Sequence, residues 1–429
     1  MTQKKFYIKT LGCKVNQYES QVIRENFLKN GYIQASNSDE ADICVINTCT
    51  VTSTSDSKSL KLIRLGLGKK NKCIIATGCM IESSDMDLRK LKGVDFIIKN
   101  KDKYIIPEIV SSSASGGLPI MTKENNDSIT DFEGHARAFI KIQDGCNNGC
   151  SYCKVRIVRG SSVSKPFKDV LDECKTIINN GYREIVLTGI CLGAYGKDIS
   201  KDANLPKLIK EICKIKGDWR MRLSSIEPKD VTGDLIDLIK SEGKLCKHLH
   251  IPFQSGDDEI LKKMNRPYKA DEYAGIVNKL RKAIPDIAIS TDIMVGFPGE
   301  KDVNFENTVS FIKEIKPMRM HVFGFSRRPG TSAYSYKDNI SGFLKKKREH
   351  ILMDIANSFA MEFEKVFAGK KARILVEDKR DKHGFLSGYT DRYMKVLIDG
   401  PDSIKSSLIT CQLALTNQKV YGILLSYLE

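Results

Sequence analysis

The chain has 429 residues, enough for two or three domains, each with its own core. Hydrophobic residues are 41% and charged residues 28%, and no apolar run approaches the roughly 20 residues that cross a bilayer, which argues against a membrane protein. Sixty-nine Lys+Arg against 53 Asp+Glu give a net charge of +16, which favours a polyanionic partner.

The N-terminus MTQKKFYIKTLGC lacks the apolar stretch of a secretory signal, so the expected location is cytoplasmic. Thirteen cysteines in a reducing compartment then point to metal or redox chemistry rather than disulfides. Short apolar strands, KFYIKTLG, ADICVINTC and CIIATGC, alternate with helical stretches at 19–30 and 58–66. That alternation predicts a small α/β domain with a parallel sheet over residues 1–115. Cys13, Cys49 and Cys79 each fall just beyond the C-terminal end of a predicted strand, where parallel sheets gather their ligands.

A stretch rich in Ser, Gly, Asn and Asp at 111–131 reads as a linker. Beyond it, HARAFIKIQ, REIVLTG, RMRLSSIE, KHLHIPFQ, IAISTDIMVG and MRMHVFGFS alternate with helical segments. Six strand–helix repeats over 132–368 suit a curved, incomplete (β/α)6 version of the eight-unit barrel. From 369 to 429 the pattern changes to short alternating strands, KARILVED, FLSGYTDRYMKVLID and VYGILLSYL, which fit a small closed β-barrel.

GCNNGCSYCKV holds Cys146, Cys150 and Cys153 with no fourth Cys or His close by. A closed zinc site wants four ligands, so zinc is the weaker reading. Three thiolates with one open iron suit a 4Fe–4S cluster. Cys246, His248 and His250 alternate along one strand, a line rather than a tetrahedron, and read as a polar inner wall. Cys44 and Cys73 read as core, and Cys174, Cys213 and Cys411 match no ligand pattern.

CxxxCxxC with an aromatic before the last cysteine, after the first strand of a βα barrel, resembles the radical S-adenosylmethionine (SAM) superfamily. TLGCKVNQYES, NTCTVT, TGC, LTGICLGAYG, RLSSIEP, HLHIPFQSGDDEILKKMNRPY, STDIMVGFPGE, SRRPGTSAY and GYTDRYMKV follow in order and resemble its methylthiotransferase family over essentially the whole chain. The resemblance implies two 4Fe–4S clusters, one on Cys146, Cys150 and Cys153 and one on Cys13, Cys49 and Cys79, with SAM on the open iron of the first. It implies SAM contacts from Tyr152, Gly189, Ser225, Glu227, Gln254 and Asp292. Cys191 stands where Asn is expected, and RGSSVSKP is less arginine-rich than the family loop. The C-terminal module resembles a TRAM domain, an OB-like RNA-binding barrel, with Tyr389, Arg392 and Lys395 as candidate RNA contacts. It carries ten Lys/Arg and seven Asp/Glu from Lys370 onward, so the RNA footprint is expected to extend onto the other domains.

The implied activity is tRNA methylthiolation, and LGCKVNQYES most resembles the branch acting on N6-threonylcarbamoyladenosine beside the anticodon, at tRNA position 37. Arg159, Arg327 and Arg328 are the candidate partners for the threonyl carboxylate. The implied partners are tRNA, a low-potential electron donor of flavodoxin or ferredoxin type and a sulfur source, with the chain a monomer. Rival readings are an enzyme for isopentenyladenosine tRNA or a ribosomal-protein aspartate, and an RNA-binding iron–sulfur sensor without turnover.

Overall fold

A computed structural model describes residues 3–67, 72–83, 91, 93–115, 127–337 and 340–424. Near the N-terminus five parallel strands form one sheet, in the order Ile33–Gln34, Lys5–Thr10, Ile43–Thr48, Cys73–Gly78, Phe96–Ile97. The central strand Ile43–Thr48 is buried throughout, as expected for a parallel strand covered on both faces. Phe6, Ile23, Phe27 and Ile106 pack one face, and Cys44, Ile63, Ile74 and Met80 the other. Cys44 is therefore core, as its sequence context suggests.

The helix Lys14–Lys29 begins five residues earlier than its sequence pattern suggests, with Cys13 at the N-cap and no side-chain capping bond. The linker likewise starts later than 111, since a helix runs through Ile106–Ser115; residues 116–126 of it lie outside the described residues.

Six parallel strands make the barrel wall. Arg220–Leu223, Glu184–Thr188 and Ala138–Lys141 form one sheet, and His248–His250, Ala288–Val295 and Arg319–Gly324 another. Isolated parallel bridges, Met221 with Leu245 and Ser225 with His250, join the two into one curved wall. A six-stranded wall does not close on itself, and its free edges are Ala138–Lys141 and Arg319–Gly324. The N-terminal domain bridges those edges. Glu19 pairs with Lys141 on one, and Asp56 pairs with Arg328 just beyond the other.

After the helix Gly342–Lys365 the chain forms a closed five-stranded barrel in the order Lys371–Arg380, Leu386–Thr390, Lys395–Ile398, Lys419–Leu424, Leu408–Thr416. Alternation puts Leu386, Val396, Ile398, Leu413 and Val420 inside. FLSGYTDRYMKVLID is two strands, not one; the turn between them has Tyr393 at φ 64°. No described helix is long and apolar enough to cross a membrane.

Candidate active site

The loop after the first barrel strand holds Cys146, Cys150 and Cys153. It turns at Gly145, φ 69°, where a Cβ would fall 2.0 Å from the Ser161 carbonyl. It is tied down by Cys146 N–H to Gly160 O, 3.1 Å, Ser151 N–H to Met264 O, 3.0 Å, and Ala333 N–H to Ser151 O, 2.7 Å. Arg266 donates to the Cys150 thiol at 3.2 Å and pairs with Glu227. Burial pushes the Cys153 thiol up to about 12, while a hydrogen bond from Cys191 draws Cys146 down to about 6.

Cys13, Cys49 and Cys79 follow three adjacent parallel strands and converge as the sheet topology requires. Asn16 lies among them. Its Oδ1 is 3.8 Å from the Cys13 thiol and 3.9 Å from that of Cys79. Its amide is pinned to the carbonyls of Leu11, 2.7 Å, and Thr48, 2.9 Å. Burial raises the Cys79 thiol to about 12. Buried thiols of this kind ionise readily only when a metal takes up the thiolate.

The N-terminal triad and Cys153 of the barrel triad line one cavity of about 230 Å³. Its walls include Cys13, Cys49, Cys79, Cys153, Tyr152, Gln254, Asp292, Met294, Phe323, Arg159 and Arg328. Gln254 has φ 70° and a buried Oε1 with no hydrogen-bond partner, so it presents an unsatisfied acceptor. Asp292 meets His250 Nε2 at 3.2 Å. Ser225 bridges to His250, beyond its strand, and Tyr152 packs edge-on against Phe297.

Among the described residues no three Cys, His, Asp or Glu side chains are grouped to hold a single metal ion. Two separate three-thiol sets fit clusters instead, since a cluster spreads its thiolates over separate irons. Cys246, His248 and His250 do not gather: Cys246 is buried and free, and both histidines hydrogen bond Ser290 at 2.9 Å.

Several expected contacts have other partners. Arg159 is 2% exposed and bonds Glu19, 2.9 Å, Asp144, 3.0 Å, Asn16, 2.6 Å, and the Cys79 thiol, 3.3 Å. Arg328 reaches Thr50 and Asp56, 2.6 Å. Arg327 stacks on Tyr334 and donates to its carbonyl. Arg328 nevertheless keeps a buried Nε with no hydrogen-bond partner, and it lines the cavity. A Cβ on Gly189 would come within 2.9 Å of Gln143 Oε1, so this glycine makes room for Gln143, which in turn accepts from Cys191 N–H at 2.7 Å.

Tyr389 and Arg392, read from sequence as RNA contacts, face the barrel instead. Arg137 lies over the Tyr389 ring, and Arg392 pairs with Asp286 and Asp391. The N-terminal ends of the barrel strands receive the C-terminal module: Arg220 and Arg222 donate to the carbonyls of Arg373, Tyr389, Thr390 and Asp391 at 2.7–3.0 Å. Lys395 is exposed. Asn16, Glu19 and Arg266 were missed in the sequence because polar residues on a helix or loop ordinarily read as solvated.

The Radical SAM superfamily family model matches residues 140–312, and that of Uncharacterized protein family UPF0004 matches residues 5–99. The chain is 36% identical to the threonylcarbamoyladenosine tRNA methylthiotransferase MtaB of Bacillus subtilis, over 93% of this chain and 91% of that one. It is 38% identical to MtaB of Thermotoga maritima, over 90% of each. The chain belongs to the radical SAM methylthiotransferase family. A tRNA-2-methylthio-N(6)-dimethylallyladenosine synthase of Clostridium botulinum is 35% identical over 93% of this chain and 92% of that protein. The radical SAM methyltransferase TsrM from Kitasatospora setae, solved with cobalamin and a 4Fe–4S cluster, is similar with a TM-score of 0.58 over 77% of each chain. At 13% identity that likeness concerns the fold alone. As a radical SAM methylthiotransferase, the chain is an enzyme that transfers sulfur-containing groups, and the family's chemistry runs on a 4Fe–4S cluster and SAM.

Proposed function

We propose that the chain converts N6-threonylcarbamoyladenosine at tRNA position 37 to its 2-methylthio derivative, using two 4Fe–4S clusters and SAM. The observation that carries this is one cavity lined by Cys13, Cys49 and Cys79 from the N-terminal domain and by Cys153 from the barrel loop, where a single base could meet both clusters. When bound, these cofactors supply an electron, a carbon-centred radical, and the sulfur and methyl groups.

Cys146, Cys150 and Cys153 hold one cluster and leave an iron open for SAM; Cys13, Cys49 and Cys79 hold the other. Gln254, with its unpaired Oε1, Asp292 and Ser225 take polar groups of SAM, and Tyr152 packs beside the cluster loop. Glu227 acts through Arg266, orienting it on Cys150. The protein's work is orientation and exclusion of water, while the cofactors carry the difficult chemistry.

Residues 1–115, 132–368 and 369–429 serve as sulfur-donor domain, radical domain and RNA module. Lys395 and other surface cations contact the tRNA backbone. The working protein is a cytoplasmic monomer, served by a low-potential flavodoxin- or ferredoxin-type donor and a sulfur source. Mass spectrometry of tRNA nucleosides from cells with and without the gene tests this reading. Loss of the methylthio mark from threonylcarbamoyladenosine is expected, and loss confined to the prenylated nucleoside would refute the substrate.

A further inference from the structure

Two segments of the cavity wall touch each other outside it. The short helix Val155–Arg159 lines the cavity through Val155, Val158 and Arg159, and the loop after Arg319–Gly324 lines it through Ser326 and Arg328. A Cβ on Gly330 of that loop would fall 3.1 Å from Ile157 Cδ1, which marks the contact. Each segment also turns a large apolar side chain to solvent: Ile157 is 40% exposed and Tyr334 46%. Arg327, also exposed, sits in the chain between the two wall residues Ser326 and Arg328.

The exposed ring is not loose. Tyr334 directly follows Ala333, which is buried and donates its N–H to Ser151 O of the cluster loop at 2.7 Å. The same loop is tied to the N-terminal domain by Ser326 Oγ to Ser53 Oγ, 3.1 Å, and by Arg328 to Thr50 and Asp56. The Arg327 guanidinium lies over the Tyr334 ring, 5.3 Å from its centroid. Its Nε donates to Tyr334 O at 3.1 Å and its Nη2 to Tyr336 O at 3.4 Å. Carbonyl acceptors orient a guanidinium without neutralising its charge. The result is a planar ring and a planar cation held together in solvent, on a loop anchored to both halves of the site. A group fixed before its partner arrives loses less entropy on binding.

We propose that Tyr334, held by Arg327, is a stacking platform for the nucleobase next to the adenosine being modified. The proposal rests on the tRNA reading above and deepens it by naming what the cavity rim recognises. A base that enters the cavity must leave the stack of its loop, and its neighbours on either side stay outside. One of them thereby loses a stacking partner, and an aromatic ring beside the cavity supplies another. Unpaired bases in RNA loops are held in this way, on aromatic rings and guanidinium planes. Any base has a π-face, so the platform steadies the loop without reading its sequence.

The test measures binding of reconstituted full-length enzyme to three anticodon stem-loop RNAs at one salt concentration. All carry N6-threonylcarbamoyladenosine; one is intact, and the others have an abasic site on its 5′ or its 3′ side. Wild-type enzyme should bind one of the abasic RNAs about tenfold or more weakly than the intact one, the factor expected for one base stacked on an aromatic ring. Tyr334→Ala and Tyr334→Leu should lose about as much on the intact RNA and only about threefold or less again on that abasic one. Tyr334→Phe should keep the wild-type pattern, and Arg327→Met, which frees the ring, should shrink the preference. Iron content at the wild-type level shows that the variants fold. Equal binding of all three RNAs by the wild type, wild-type affinity in Tyr334→Ala and Tyr334→Leu, or losses that multiply for both abasic RNAs overturn the proposal. Unchanged RNA binding with slower reduction by a flavodoxin would assign the ring to the electron donor and overturn it too. A wild type that binds no stem-loop overturns the tRNA reading instead.

Discussion

Arg159 sets its Nε 3.3 Å from the Cys79 thiol, so a cation six residues after Cys153 is placed on the other triad. The same guanidinium holds Asn16, the residue between Cys13 and Cys79, at 2.6 Å. Arg266 stands in the same relation to Cys150. A nearby cation and an N–H donor stabilise sulfur-borne negative charge, so each triad carries its own arginine, and one of these spans the domains.

Replacing Arg159 should therefore change the N-terminal cluster and leave the barrel cluster alone. In a background with Cys146, Cys150 and Cys153 changed to Ala, the remaining electron paramagnetic resonance signal belongs to the N-terminal cluster. Arg159→Met should shift that signal and lower its reduction potential, with Arg159→Lys intermediate. An identical signal and potential in all three proteins would remove the proposed role.

Iron content separates the two triads. Reconstituted wild type should hold about eight irons per chain, four for each cluster, and the barrel-triad Ala variant about four. SAM cleavage should disappear in that variant. In the Cys13, Cys49 and Cys79 Ala variant, SAM cleavage should persist without methylthiolated product. A wild type that saturates near four irons contradicts the two-cluster account.

Glu19 is fully buried among Lys103, 2.6 Å, Arg159, 2.9 Å, and Lys141, 3.3 Å. Burial alone would raise its carboxyl, but the three cations hold it well below the usual value of 4.5. Glu19→Gln leaves those cations without their shared counter-charge and should cost about 3–5 kcal/mol. The folded-state pKa is depressed, so this stability is present above the unfolded value and is lost as pH falls through the folded one. Urea midpoints of wild type and Glu19→Gln should thus differ widely at pH 7 and draw together below about pH 4.5. A constant gap down to pH 3 would count against the sign of that shift.

Much of this was legible in the sequence. The cysteines stood out because parallel strands end in ligand-gathering loops, and Thr48–Cys49 and Gly78–Cys79 mark such ends. The six barrel strands followed from apolar runs separated by helices. What was hidden were polar residues with tertiary partners. Asn16 and Glu19 lie on a helix whose polar face reads as solvated, yet it is buried against the barrel. Tyr389 and Arg392 looked like RNA contacts because nothing local reveals that their turn docks on Arg137, Arg222 and Asp286.

That docking alters what truncation can teach. Removing residues 370–429 would strip Arg220 and Arg222 of four carbonyl acceptors, and buried donors left unmade cost about 1–3 kcal/mol each. Truncated protein should therefore melt earlier as well as bind tRNA less well. Lys395→Glu, at an exposed position, is the cleaner probe: tRNA affinity should fall, and its dependence on salt should become shallower. Unchanged affinity and slope would place the RNA contact elsewhere.

The most direct test of the substrate offers purified, reconstituted enzyme equal amounts of two tRNAs, one bearing N6-threonylcarbamoyladenosine and one bearing isopentenyladenosine, with SAM and reductant. Methylthiolated nucleosides are then counted by mass spectrometry. The account predicts product almost entirely from the threonylcarbamoyl tRNA. Equal or greater product from the isopentenyl tRNA would contradict it.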